Sequence, residues 1–187
     1  MNLPNRLTLF RIFLIPVFVL LMEWPVSAPA GTLPLTHLIA CLVFVVASVT
    51  DYLDGYIARR DQLVTNFGKF WDPLADKMLV LTALIELSAQ QIVPGWAVAI
   101  IVIRDLAVTG LRLLLVQDGE VMAAAWPGKV KTFTQMLAII FLLVQDGPFA
   151  GLPFSIGQVF FYVAVIFTIY SWASYFWNNR QAFSDFS

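Results

Sequence analysis

The stretch Leu35-Thr-His-Leu-Ile-Ala-Cys-Leu-Val-Phe-Val-Val-Ala-Ser-Val-Thr-Asp51-Tyr-Leu-Asp54-Gly55-Tyr-Ile-Ala58-Arg59-Arg60 decides the architecture. It opens on a long uncharged run and closes on two aspartates and two arginines. As a helix it extends about 39 Å at about 1.5 Å per residue, longer than a hydrocarbon core of about 30 Å. Its last turns, with Asp51, Asp54 and Arg59, are therefore expected to project at one membrane face. After Arg60 the chain continues through Thr65 to Gly68-Lys-Phe-Trp-Asp72-Pro-Leu-Ala-Asp76 and enters another apolar run. Two antiparallel neighbours then bring two pairs of carboxylates to one depth.

The rest of the chain fits that reading. Of its 187 residues 60% are hydrophobic and 12% charged, against roughly a quarter charged in an average globular chain. The sequence predicts an all-α polytopic membrane protein with a single domain over 1–187. Its six spans fall at about 7–22, 35–60, 73–89, 93–116, 130–144 and 154–177, with turn residues between them. The first run is followed by Glu23-Trp-Pro instead of a small-residue cleavage site, so it is expected to remain as the first anchor.

The eleven basic residues all fall on or toward one side. None occurs in the opposite loops near 23–34, 90–95 and 146–153. By the positive-inside rule both termini and the aspartates face the cytoplasm. A bacterial inner membrane is the simplest placement, with a eukaryotic organelle as the alternative. The net charge of −1 provides no basic field for nucleic acid. The single cysteine, Cys41, excludes an internal disulfide framework. His37 and Cys41, near the outer end of the second span, are expected to be structural, and Glu86 has no functional explanation from sequence.

Asp51 and Asp54 are three apart and Asp72 and Asp76 four apart, spacings that share a helix face. Four unpaired carboxylates in one place repel one another. Hard divalent cations such as Mg²⁺ or Mn²⁺ relieve that repulsion, accept oxygen ligands and tolerate substrate phosphates. A pair of metals acting on a phosphate is the chemistry this arrangement suits. Gly55 leaves room for close approach, and Arg59 suits a phosphate or a carboxylate.

Asp51-x₂-Asp54-Gly55-x₂-Ala58-Arg59-x₈-Gly68-x₃-Asp72-x₃-Asp76 resembles the signature of the CDP-alcohol phosphotransferases at all its fixed positions. The resemblance implies that an acceptor hydroxyl attacks the β-phosphorus of a CDP-linked lipid and releases CMP. It implies that Asp51 and Asp72 bridge two metals, that Asp54 and Asp76 complete one each, and that Asp76 is the general base. Gly55, Arg59, Thr65 and Gly68 match positions at the CDP moiety. The opening Pro4-Asn5-x-x-Thr8-x-x-Arg11 resembles the family's amino-terminal segment, which places Asn5 and Thr8 at the nucleotide. Helix capping is the competing reading of those two.

The acceptor site is sought among cations inside apolar spans, which are costly unless they meet anions. Arg104 and Arg112 lie eight apart in the fourth span, and Lys129 and Lys131 open the fifth. These segments resemble the branch of the family that takes sn-glycerol 3-phosphate. With CDP-diacylglycerol as donor, the products would be phosphatidylglycerophosphate and CMP. Competing readings are pairing of the arginines with Asp105 or the motif carboxylates, and interfacial snorkelling of the lysines. Inositol phosphate, inositol, serine or a second lipid are the alternative acceptors. A divalent-cation transporter is the alternative of another class, disfavoured because the aspartates flank one end of the spans. Resemblance also implies a homodimer.

Overall fold

The computed structural model describes residues 3–24, 33–60, 66–117, 126–149 and 151–178, with side chains at 3–6, 51–73, 76, 111–117, 127, 148 and 175–178 outside the description. Six helices follow one another: α1 (Leu3–Glu23), α2 (Leu35–Arg60), α3 (Asn66–Ala89), α4 (Gly95–Gln117), α5 (Trp126–Leu143) and α6 (Ile156–Asn178). No strand occurs among the described residues. The all-α expectation holds, and α2 has the bounds read from sequence.

Local chemistry accounts for the helix ends. Proline has no N–H to leave unsatisfied and a backbone preset for a helix start. Accordingly, the Pro34 carbonyl accepts from the amide of His37 at 3.0 Å, and that of Pro94 from the amide of Ala97 at 3.1 Å. Helix α3 stops where Gln91 turns left-handed (φ 60°) and the Ile92 amide reaches back to the Leu87 carbonyl at 2.9 Å, a C-terminal cap of the left-handed type. Helix α5 stops the same way: Asp146 has φ 61° and its amide donates to the Phe141 carbonyl at 2.7 Å. The Asp146 carboxylate then accepts from the Gly157 amide at 2.7 Å. One residue thus ends α5 and satisfies the start of α6.

Three helix starts fall four residues or more ahead of expectation, and the first is α1, at Leu3 instead of about residue 7. Helix α3 begins at Asn66, ahead of Pro73, and α5 begins at Trp126, ahead of Val130. Pro73 lies inside α3 as Pro16 lies inside α1; membrane helices tolerate this because neighbours re-satisfy the freed carbonyl. The aspartates of the motif therefore all sit within helices.

Helix α1 packs against α2 and α3, α5 pairs with α6, α4 touches α3 and α6, and α2 and α3 both reach α5. The interior is built on small residues: Ala40, Ala47, Ala75, Ala83, Ala97, Ala138 and Ala164 are fully buried. Phe18, Phe44, Leu84, Ile101, Ile139 and Phe161 fill the space between them. Small residues at contacts let backbones approach closely, as in helix packing within lipid. At Gly157 an added Cβ would sit 2.8 Å from Leu142 Cγ and 3.0 Å from its backbone nitrogen. Hydroxyls turn inward to their own helix: Ser48, Thr109 and Thr168 donate to the carbonyl four residues back at 2.8, 2.7 and 2.7 Å. That leaves none of these three hydroxyls facing an apolar surround.

The outer surface is apolar on every helix, with Phe13, Leu42, Ile85, Ile103, Phe133 and Ile166 all exposed. Among the described residues one segment, Ile156–Ser174, is both long and apolar enough to cross a membrane, and Leu35–Thr50 is a shorter apolar stretch. Charged residues interrupt the other helices, and their placement defines the site.

Candidate active site

Asp51 and Asp54 lie in the last ten residues of α2, and Asp72 and Asp76 in the first eleven of α3. Residues 61–65 alone separate those two helix ends, so the connection can span at most about 3.5 Å per residue. The two helices also touch each other. The backbone thus gathers four acidic positions on adjoining ends of neighbouring helices. The side chains of Asn5, Asp51, Asp54, Gly55, Arg59, Gly68, Asp72, Asp76 and Arg112 lie outside the described residues, as does Thr65 altogether. As a donor set, four carboxylates are what hard divalent cations take, so the residues present fit the metals that the resemblance implies. No other group of three or more metal-ligating side chains occurs among the described residues.

Thr8 and Arg11 of α1 are both fully buried, three apart and so on one face of the helix that packs on α2 and α3. A buried arginine requires anionic or hydrogen-bonding company. Thr8 and Arg11 both have interacting partners. Their burial on this side of α1 places them with the aspartate-bearing helices.

The expected acceptor cations divide. Lys129 is exposed, whereas Arg104 and Lys131 are buried. Asp105, only 3% exposed, joins them: its Oδ1 accepts from Arg104 Nη1 at 3.0 Å and its Oδ2 from Lys131 Nζ at 2.5 Å. Arg104 Nη2 donates to Ser171 Oγ of α6 at 2.5 Å. Lys77, the residue after Asp76, lies within electrostatic reach of both Asp105 and Lys131. Gly128 lies beside the guanidinium, where an added Cβ would be in ordinary contact with Arg104 Nη2 at 3.9 Å.

Helices α3, α4, α5 and α6 therefore contribute to one buried polar cluster beside the aspartate motif. Its described charges are three cations and one carboxylate. Arg104 Nε is buried with no partner, and so is Gln135 Nε2, four residues after Lys131 on α5. Surplus positive charge and unmatched donors in an apolar interior suit an anion with several acceptor oxygens.

The competing reading that paired the arginines with Asp105 holds for Arg104, whereas Ser171, Lys77 and Gln135 were not expected as members. Ser171 and Thr168 are both buried on an otherwise apolar α6, and their three-residue spacing was the available signal for a polar inward face. An open apolar groove of about 480 Å³ lies between α3 and α4, lined by Ile85, Ser88, Gly95, Val98, Val102 and Ile103. It sits toward the C-terminal end of α3, away from Asp72 and Asp76, and its uncharged lining does not suit phosphate chemistry.

Comparison with known proteins decides the family: the model of the CDP-alcohol phosphatidyltransferase family matches residues 1–170. The chain belongs to that family. Two of the relatives below match the chain across nearly its full length. A protein of Bacillus subtilis named CDP-diacylglycerol–glycerol-3-phosphate 3-phosphatidyltransferase is 46% identical over 97% of this chain and 96% of its own. One of the same name from Sodalis glossinidius is 38% identical over 97% of this chain and 96% of its own. A Mycobacterium tuberculosis protein named probable phosphatidylglycerophosphate synthase is 42% identical over 79% of this chain and 68% of its own. The aspartate signature of this CDP-alcohol phosphatidyltransferase thus lies inside the matched region and on the helix ends described above.

Proposed function

We propose that the chain is a membrane transferase that moves a phosphatidyl group from CDP-diacylglycerol to sn-glycerol 3-phosphate, giving phosphatidylglycerophosphate and CMP. The observation that carries the choice of acceptor is the buried pair Arg104 and Lys131, with half-buried Lys77 near, around Asp105, the one carboxylate of the cluster among the described residues. A neutral alcohol has no use for that surplus charge; a phosphomonoester carries about −1.5 to −2 near neutral pH and three strong acceptor oxygens. The names of the relatives point to the same acceptor.

Asp51, Asp54, Asp72 and Asp76 would hold two divalent cations, Mg²⁺ or Mn²⁺. When bound, such metals neutralise the donor diphosphate and stabilise charge on the departing CMP oxygen. The chain's own residues do the rest. Asn5, Thr8, Gly55, Arg59, Thr65 and Gly68 bind the CDP moiety. Arg104 and Lys131, together with Arg112 and the exposed Lys129, bind and orient the acceptor phosphate. Asp76 accepts the proton of the acceptor hydroxyl as its oxygen bonds to the β-phosphorus and the bond to CMP breaks. Most of the rate then comes from positioning and electrostatics.

The same reading places the protein in a bacterial cytoplasmic membrane with six spans, both termini and the active site facing the cytoplasm. The apolar exterior on all six helices and the one-sided basic residues support it. Homodimerisation is carried over from the family on the same terms. The test incubates purified protein, CDP-diacylglycerol and Mg²⁺ with glycerol 3-phosphate, glycerol, inositol phosphate, inositol and serine, and measures CMP release. Glycerol 3-phosphate should be used best, and equal or better use of a neutral alcohol would reject the reading.

A further inference from the structure

The buried cluster contains two residues that bind no substrate in the reading above, and their geometry gives them a task. Asp105 uses both carboxylate oxygens on two different helices, one for Arg104 of its own α4 and one for Lys131 of α5. Ser171, from α6, takes a second guanidinium nitrogen of Arg104. An arginine side chain has several free rotors, and fixing it in a site otherwise costs entropy at the moment of binding. Here two anchors on different helices hold its plane before any ligand arrives. The guanidinium has five N–H donors. Two serve the anchors, and the Nε–H is left buried without a partner. The Lys131 ammonium has three donors, one of which goes to Asp105.

The charges lead to the same conclusion. Lys77, Arg104 and Lys131 against Asp105 leave two positive charges among the described residues, and a phosphate dianion would balance them. Asp105 therefore does not cancel the cluster. It spaces two cations that would otherwise repel and leaves each with donors to spare.

We propose that Asp105 and Ser171 are positioning residues that preform a two-cation cradle from Arg104 and Lys131, and that this preformation makes the enzyme select a phosphorylated acceptor. The inference rests on glycerol 3-phosphate being the acceptor. It adds that selectivity depends on two side chains that do not touch the phosphate.

The experiment uses the full-length protein in detergent with CDP-diacylglycerol and Mg²⁺, comparing wild type with Ser171→Ala and Asp105→Asn. For each, KM and kcat are measured for glycerol 3-phosphate, KM for CDP-diacylglycerol, and kcat/KM for glycerol. Each variant should raise KM for glycerol 3-phosphate by about tenfold, the scale of one hydrogen bond to a charged group. The KM for CDP-diacylglycerol should stay within about twofold, so that preference for the phosphorylated over the neutral alcohol falls by the same factor. Parallel losses toward both acceptors, or unchanged KM values, would overturn the inference. Should Asp105→Asn fail to fold, Ser171→Ala decides alone, because it deletes one hydroxyl. A wild-type enzyme that prefers glycerol to glycerol 3-phosphate would instead overturn the choice of acceptor, a distinct result visible before any variant is made.

Discussion

Removing the Asp105 carboxylate should change the sign of what Lys131 does for stability. In the native protein the Asp105 and Lys131 side chains are only 4% and 3% exposed and meet at 2.5 Å. Lys131→Met keeps the length of the stem and leaves Asp105 with Arg104 at 3.0 Å. It deletes one charged hydrogen bond, a loss of about 1.5–3 kcal/mol. Asp105→Ala is worse, because it strands two buried cations near a third; losing one partner of a buried ion pair costs about 3–5 kcal/mol. In that background the Lys131 ammonium has no described carboxylate, while Arg104 and Lys77 remain near. Replacing it by Met then removes a repelling, desolvated charge. Lys131→Met is therefore expected to stabilise the Asp105→Ala protein by about 1–2 kcal/mol; with the loss in the native background this is a coupling of about 2.5–5 kcal/mol, at or above the upper end for contacting residues and on the scale of a broken buried ion pair. Thermal unfolding of the four proteins in one detergent, followed by the fluorescence of the six tryptophans, measures the cycle. Equal losses from Lys131→Met in both backgrounds would refute the buried-pair account.

Three further outcomes are expected. Asp76→Asn should lower kcat by about 10²–10⁴, the usual worth of a general base, while equilibrium binding of CDP-diacylglycerol stays within about twofold; near-normal turnover would remove Asp76 from that role. Chelation with EDTA should abolish CMP release, and Mg²⁺ or Mn²⁺ should restore it, with Asp51→Asn shifting the metal titration to higher concentration; an unshifted titration would show that Asp51 holds no metal. Gly157→Ala would drive a methyl to 2.8 Å from Leu142 Cγ and 3.0 Å from its rigid backbone nitrogen. Overpacking of that kind costs about 1–3 kcal/mol, so its melting temperature should fall, and an unchanged or higher one would refute the close contact of α5 and α6.

Much of this was legible in the chain because lipid-facing sequences carry few charges, so each one stands out. The long run ending in Asp51 and Asp54 fixed α2 to the residue, and the three- and four-residue spacings put the aspartates on helices. Helix starts were less legible where proline intervened. A proline fits a first turn, so Pro73 carries no sign that the helix is already under way, yet α3 starts at Asn66 and continues through it. The start of α5 was missed for a related reason: Gly128 and Pro127 read as a turn, but Trp126 already belongs to the helix.

The buried cluster was half legible, and the missing half follows from how a linear sequence hides partners. Pairing of Arg104 with Asp105 was open from the sequence only as a competing reading, since neighbours at i and i+1 do not face each other on a helix. A guanidinium on a long stem overrides that geometry and reaches back to its neighbour at 3.0 Å. Ser171 lies 67 residues from Arg104, in a phenylalanine-rich span, and Lys77 is one of the eleven basic residues on the same side. Cations inside apolar helices could be recognised one at a time. What the fold adds is their sum around one carboxylate, and that sum, not any single residue, is what a dianionic acceptor would meet.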